Sequence, residues 1–301
     1  MIGGATILAG CLAVAGAVLA PGLAGMVQAT KARLQGRRGA GTGQPYRELR
    51  RLWRRTVVSP EGAGPVYRAA PAIAAAATMA AVLVVPVSAA APDWPVLGTD
   101  ALLLVGLLAL ARMVMALSAW DTQAAFGMMG AARDMGYAVA GEALLLMTLL
   151  VAALPAGGTD LRAMWAAAAR PGVWTTPAHW AGLLAVVLVA VTETGRQPID
   201  NPDTHLELTM IHEGPLLEYA GRDLAMCQWT AAARHWVVLV LAAGLFLPHP
   251  AGAVTGALAT LAWLPPLCVL LAVLESMQAK MRVGRARACW PAAPPWRWWA
   301  W

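Results

Sequence analysis

Seven runs of apolar residues, separated by polar connections, set the pattern of this chain. They fall at about 2–27, 66–90, 101–119, 137–154, 178–191, 231–247 and 252–274. Most approach the roughly 20 residues that carry an α-helix across a bilayer. The fifth run is short and is expected to continue through Glu193. Apolar residues fill these runs continuously instead of forming one stripe, as in helices surrounded by lipid and by other helices. Ala, Gly and Val are abundant in them, which suits bundles where small residues bring backbones close. The pattern predicts an all-α, polytopic transmembrane helix bundle: a single integral membrane domain over 1–301 with about seven spans.

Composition points the same way. Hydrophobic residues make up 59% of the chain, charged residues 13%, and the mean hydropathy is +0.60; soluble domains carry about 25% charged residues. The few charges are placed unevenly. Nine of the 22 basic residues lie between Lys31 and Arg55, on the side reached after the first run. With that side cytoplasmic, the external connections hold only Arg162 and Arg170. Lys and Arg mark cytoplasmic loops, so the N-terminus is expected outside and the main loops and C-terminus inside a plasma (inner) membrane. The net charge of +6 is then a topology signal with some attraction to anionic lipid, and nucleic acid is not an expected partner. The first run is too long, and lacks the charged front, for a cleaved leader.

Chemistry-bearing motifs are sparse. Cys11, Cys227, Cys268 and Cys289 are scattered without CxxC spacing, and no phosphate loop, nucleophile elbow or HExxH pair occurs. No catalytic residue, metal site or cofactor is therefore expected in this chain itself. What stands out is acid density. Seven of the sixteen acidic residues fall between Glu193 and Asp223: Glu193, Asp200, Asp203, Glu207, Glu213, Glu218 and Asp223. Ionisable groups at or near bilayer depth are costly and mark ion paths or docking surfaces. Carboxylates crowded this closely are expected to have raised pKa values. Within the segment, expected as a loop over 194–228, Asn201-Pro202-Asp203 reads as a helix start, with Asp203 and Glu207 on one face. His205 and His212 lie too far apart for one metal and read as partner-facing.

Two other polar segments matter. The loop over 28–65 contains Tyr46 to Arg55, where Leu49, Leu52 and Trp53 share a helical face and Arg47, Arg50, Arg51, Arg54 and Arg55 occupy the rest. This is an interfacial amphipathic helix, serving either as plain anchorage or as a platform for a soluble partner. The segment 121–136 reads as a loop carrying Asp121, Arg133 and Asp134. Glu142 follows inside the fourth run, either as a hydrogen-bonding group or as a proton relay, with Arg112 of the third run as its possible partner.

These residues carry a resemblance. Gln44-Pro-Tyr-Arg, Leu52-Trp-Arg-Arg55, Asp121-Thr, Ala125-Phe-Gly-Met-Met-Gly130 and above all Asp200-Asn-Pro-Asp-Thr-His-Leu-Glu-Leu-Thr-Met-Ile-His-Glu213 resemble the membrane subunit of group 4 nickel–iron hydrogenases. The type is that of formate hydrogenlyase subunit 4 and hydrogenase-4 component C. More distantly the chain resembles respiratory complex I subunit 1. The resemblance covers about residues 2–285. It implies a non-catalytic subunit of an oxidoreductase complex that binds no cofactor of its own. Such a subunit docks hydrogenase large and small subunits and an iron–sulfur subunit, whose nickel–iron centre and clusters do the redox chemistry, and it starts a proton path toward antiporter-like subunits. By this resemblance Glu193, Asp200, Asp203, Glu207, Glu213 and Glu218 match the acidic loop facing the soluble arm and Arg196 its basic partner. Glu142 matches a mid-membrane acid and Glu275 an acid ending the penultimate family helix; Asp121 and Arg133 fall in the second matching segment.

The segment 283–301 departs from the family pattern, which closes with an eighth span. Its Trp residues and Pro291, Pro294 and Pro295 fit either a frameshifted gene end or a divergent interfacial tail. Two further classes compete: a quinone-chamber subunit of complex I type, and a stand-alone transporter, whose usual internal repeats and broken helices are not visible in the sequence.

Overall fold

The computed structural model describes residues 4–88, 98–196, 200 and 211–278. Asn201 and Pro202 at the expected helix start, Asp203, His205 and Glu207, and the tail 283–301 lie outside the described residues. Seven helices carry the apolar runs: α1 (Gly4–Leu34), α3 (Pro65–Val84), α4 (Ala101–Asp121), α5 (Ala125–Ala153), α8 (Pro177–Glu193), α9 (Gly221–Phe246) and α10 (Ala253–Met277). Of these, α3, α4, α5, α9 and α10 are long and apolar enough to cross a membrane, and α8 is a shorter apolar helix. Three short helices complete the chain: α2 (Gln44–Trp53), α6 (Leu161–Ala168) and α7 (Pro171–Trp174). The described residues contain no strand.

Helix α9 is the centre of the bundle. Of its apolar stretch 83% is buried, against 33–44% in α3, α4, α5 and α10, and it touches α1, α2, α3, α6, α8 and α10. A helix apolar all round belongs inside. The surrounding helices turn Val139, Met147, Leu184 and Leu258 outward, which costs nothing against lipid.

Close approach to α9 depends on glycine. Trp165 of α6 is fully buried, and a Cβ on Gly244 would fall within its indole ring. Gly244→Ala should therefore displace Trp165 and cost about 1–3 kcal/mol of stability through overpacking. The thermal midpoint of the purified protein checks this; an unchanged midpoint would contradict the packing.

Prolines interrupt α1, α3 and α10, and in α1 and α3 aromatic side chains close the gaps. Pro21 in α1 has no N–H to give to the Ala17 carbonyl, which instead accepts from Trp229 Nε1 at 3.0 Å. One residue on, the Tyr46 hydroxyl of α2 is inserted into the helical ladder: it donates to the Val18 carbonyl at 2.7 Å and accepts from the Gly22 N–H at 3.1 Å. Pro71 in α3 likewise frees the Tyr67 carbonyl, which accepts from the Tyr219 hydroxyl at 3.0 Å. Tyr67 answers by donating to the Glu218 carbonyl at 2.7 Å, and the two rings stack with centroids 4.4 Å apart. Burial raises the Tyr219 phenol pKa above its usual value, so it remains a donor. In hydrocarbon a freed carbonyl needs a partner, and these pairings tie α2 and the loop before α9 to the bundle.

Three sequence expectations on element bounds are corrected. Helix α5 begins at Ala125, so the expected loop 121–136 shrinks to Thr122–Ala124 and Asp134 is helical. Gly, Ala and Met there served equally as loop or helix in the sequence; packing decides for helix, because Gly130 meets Gly214 so closely that a Cβ on Gly130 would lie 2.6 Å from the Gly214 Cα. Helix α9 starts at Gly221, closing the segment expected as loop to 228. Helix α1 continues to Leu34, so the 28–65 connection begins later.

Candidate functional site: a row of buried ion pairs

Three acids converge on one guanidinium. Arg112, in mid-α4, is 5% exposed. Its Nη2 lies 2.6 Å from Glu193 Oε2, its Nη1 3.2 Å from Glu142 Oε1 and its Nε 3.9 Å from Asp134 Oδ2. Asp134 and Glu142 are eight residues apart on α5, about two turns, and so share one face. Glu193 is the last residue of α8. Arg234 of α9 lies within electrostatic range of the same three acids and donates to the Leu108 carbonyl at 3.3 Å. Glu193 Oε1 and Arg234 Nε are enclosed without a hydrogen-bond partner among the described residues.

A second cluster lies three residues along the chain. Arg196 Nη1 is 2.7 Å from Glu275 Oε1 of α10, whose Oε2 is 3.5 Å from Lys31 Nζ of α1. Arg196 Nη2 is 3.3 Å from His235 Nδ1 of α9. Lys31, His235 and Glu275 are all buried. Adjacent residues of α9, Arg234 and His235, therefore serve different clusters, and so do Glu193 and Arg196.

His212 bridges toward the first cluster. Its Nε2 is 3.5 Å from Asp134 Oδ1 and its Nδ1 3.6 Å from Asp200 Oδ2. The ring can sit there because residue 195 is glycine at φ +60°: a Cβ would be 2.6 Å from His212 Cγ. Asp200 is 4% exposed, and its Oδ2 accepts from the N–H groups of Ile211 and His212 at 3.1 and 3.0 Å. Burial by itself would raise its pKa; the His212 imidazole and the two N–H groups outweigh that and hold it down at about 2. The raised pKa expected for crowded loop acids is thus reversed at Asp200, because donors surround it.

This has a pH consequence. A carboxylate whose folded pKa is depressed stabilises the protein above its unfolded pKa and loses that contribution as pH falls through the folded value. A drop from 3.8 to about 2 corresponds to roughly 2 kcal/mol. Asp200→Asn should cost about that much at neutral pH, and the gap to the parent protein should close between about pH 4 and pH 2. Denaturation midpoints measured across that window check it.

The family model described as NADH dehydrogenase matches residues 6–295. The chain belongs to the NADH dehydrogenase subunit 1 family. Within that family it is 32% identical over 239 residues to formate hydrogenlyase subunit 4 of Escherichia coli (strain K12), covering 76% of this chain and 74% of that one. It is also 32% identical over 232 residues to hydrogenase-4 component C of the same organism, covering 77% and 72%. Among solved structures, a chain of the membrane-bound sulfane sulfur reductase, an archaeal respiratory membrane complex, superposes with a TM-score of 0.77 over 95% of this chain and 94% of that one, at 16% identity; this shows the fold. The family match reaches residue 295, beyond the stretch of about 2–285 that carries the resemblance.

The other expected site residues of this family member lie apart from the row. Asp121 accepts from the Tyr67 N–H at 2.9 Å and secures the start of α3. Glu218 contributes its carbonyl to Tyr67. Glu213 stands half-buried before the Gly214–Leu216 turn, and Arg133 donates to Met129 Sδ at 3.3 Å. Arg47, Arg50 and Arg54 are exposed on and just after α2, Arg47 bonding Gln44 Oε1 at 2.9 Å and the Ala40 carbonyl at 2.7 Å. Among the described residues no three His, Cys, Asp or Glu converge as metal ligands. The sequence pattern alone does not bring Lys31, Asp134, Arg234 or His235 into a site. A signal existed for the α9 pair, since Arg and His inside an apolar run are functional candidates in themselves.

Proposed function

We propose that this chain is the membrane-anchor and proton-path subunit of an energy-converting complex of the formate hydrogenlyase or hydrogenase-4 kind. In this reading it docks the hydrogenase large and small subunits and the iron–sulfur subunit on its acidic-loop side, which the Lys and Arg bias puts in the cytoplasm. The redox centres sit in those partners. The observation that carries the reading is the row of ionisable groups through an otherwise apolar bundle: Lys31 and Glu275, Arg196 and His235, Asp200 and His212, Asp134, then Arg112 with Glu193 and Glu142. Three acids share two arginines around Arg112, so full ionisation leaves one excess negative charge there, a place for a transferable proton. Glu142, with a side chain 29% exposed, is where the row reaches the surface of α5, and antiporter-like subunits would take the proton from it. The names of its relatives, a formate hydrogenlyase subunit and a hydrogenase component, favour this over a quinone-chamber role.

Purification of the native complex in mild detergent, with mass-spectrometric identification of its subunits, tests the assignment. Nickel–iron hydrogenase subunits are the expected partners. NADH dehydrogenase subunits would support the quinone-chamber reading instead, and an isolated chain would contradict both.

A further inference from the structure

The membrane face opposite the acidic loop holds a crevice that the ion-pair row does not touch. It lies between the end of α5, α6, α7, the start of α8 and the end of α9, encloses about 390 Å³, and is lined by Leu154, Met164, Val173, His179, Leu245 and Phe246 among others. That volume is in the range of small-molecule sites. Apolar cavities stay dry, so in a bilayer the available occupant is a hydrocarbon chain, and an empty space would forfeit its dispersion contacts. The helices that bound it carry exposed apolar side chains: Leu150 on α5, Leu154 just after it, and Trp180 and Leu184 on α8.

Three polar features give this crevice a chemistry. His179 is 4% exposed, and its Nε2 has no hydrogen-bond partner among the described residues; such a buried group is costly unless something pairs with it. Its ring is held by Trp174 at 4.5 Å and Phe246 at 5.6 Å between centroids. Trp174 and Trp180 are fixed in place by hydrogen bonds to the carbonyls of Ala168 and Trp174, each 3.0 Å, as suits the head-group level where Trp collects. Arg170, exposed on the link between α6 and α7, lies two residues from the lining residues Ala168 and Gly172.

We infer that this crevice is a binding site for one anionic phospholipid, an acyl chain filling the apolar space, a headgroup hydroxyl donating to His179 Nε2 and the phosphate pairing with Arg170. The site anchors the α6–α7 segment to the lipid leaflet on that face. It is independent of the proton row, because no residue is shared.

The native complex in lipid nanodiscs, supplied with a phospholipid carrying a photoactivatable diazirine in its acyl chain, tests this. Cross-links should concentrate on the peptides spanning 151–155 and 164–179 and should favour a phosphatidylglycerol over a phosphatidylcholine headgroup. Gly172→Leu, where an added Cβ meets nothing within 4 Å, and Val173→Trp should abolish this labelling by filling the space while the complex stays assembled. Arg170→Gln should cut the anionic preference about fivefold, the factor one basic residue contributes toward an anionic lipid. Labelling that survives both filling variants, an unchanged preference in Arg170→Gln, stronger labelling by a photoactivatable isoprenoid quinone, or labelling seen only after other subunits are stripped away would each overturn the assignment.

Discussion

Replacing Arg112 by leucine is expected to be the most destructive single change in this protein. Arg112 is the cation shared by Glu193, Glu142 and Asp134 at 2.6, 3.2 and 3.9 Å. Its removal leaves those acids facing one another in an apolar bundle, with Arg234 in electrostatic range and His212 against Asp134. Breaking a buried pair by deleting one partner costs about 3–5 kcal/mol, more than the net worth of the intact pair, because the remaining charge stays uncompensated. Arg112→Leu should therefore fall to low yield in the membrane and unfold early in detergent. Arg112→Lys should recover little, since one ammonium cannot reproduce a planar fork that reaches two carboxylates from different helices. Adding Glu193→Gln to Arg112→Leu should restore part of the loss by removing the anion closest to the missing cation. Thermal unfolding followed by the fluorescence of the purified protein measures all three.

The second large effect is expected at His212, and its readout is transport. His212 is the group that spans from Asp200 to Asp134, at 3.6 and 3.5 Å. Imidazole can accept a proton on one nitrogen and release it from the other, which is what a bridge between two acids requires. Glutamine keeps much of the hydrogen bonding but does not titrate. Positioned proton transfer is worth about 10²–10⁴-fold in rate, so His212→Gln should lower coupled proton movement by about 10²-fold or more. Hydrogen oxidation with an artificial dye should be preserved, because the dye bypasses the membrane subunit. Loss of dye activity together with coupling would show that His212 supports docking instead.

The sequence made the bundle legible because lipid exposure and burial demand the same thing, unbroken apolar runs, and those are visible without tertiary information. It made the acids of the site legible for the opposite reason: Glu142 and Glu193 stand out against their apolar surroundings. The cations and the bridge were harder. Lys31 looked like one of nine basic residues in a cytoplasmic cluster, and only the fold brings it 3.5 Å from Glu275, 244 positions away. Arg234 and His235 are neighbours in sequence yet point to different clusters, which no one-dimensional pattern encodes. Around Asp134 the sequence reads as a loop because Ala, Gly and Met do not separate loop from helix, yet the residue is helical. Asp121, an acid at a membrane boundary, accepts from the Tyr67 N–H at the start of α3.

Proton translocation by the whole complex in sealed proteoliposomes, driven by its physiological electron donor and followed with a pH-sensitive dye, tests the central claim most directly. Two isosteric variants are compared: Glu142→Gln, at the end of the buried row, and Asp121→Asn, outside it. Proton movement lost in Glu142→Gln and retained in Asp121→Asn, with hydrogenase subunits bound in both, is the predicted result. Wild-type translocation in Glu142→Gln would contradict the proton path.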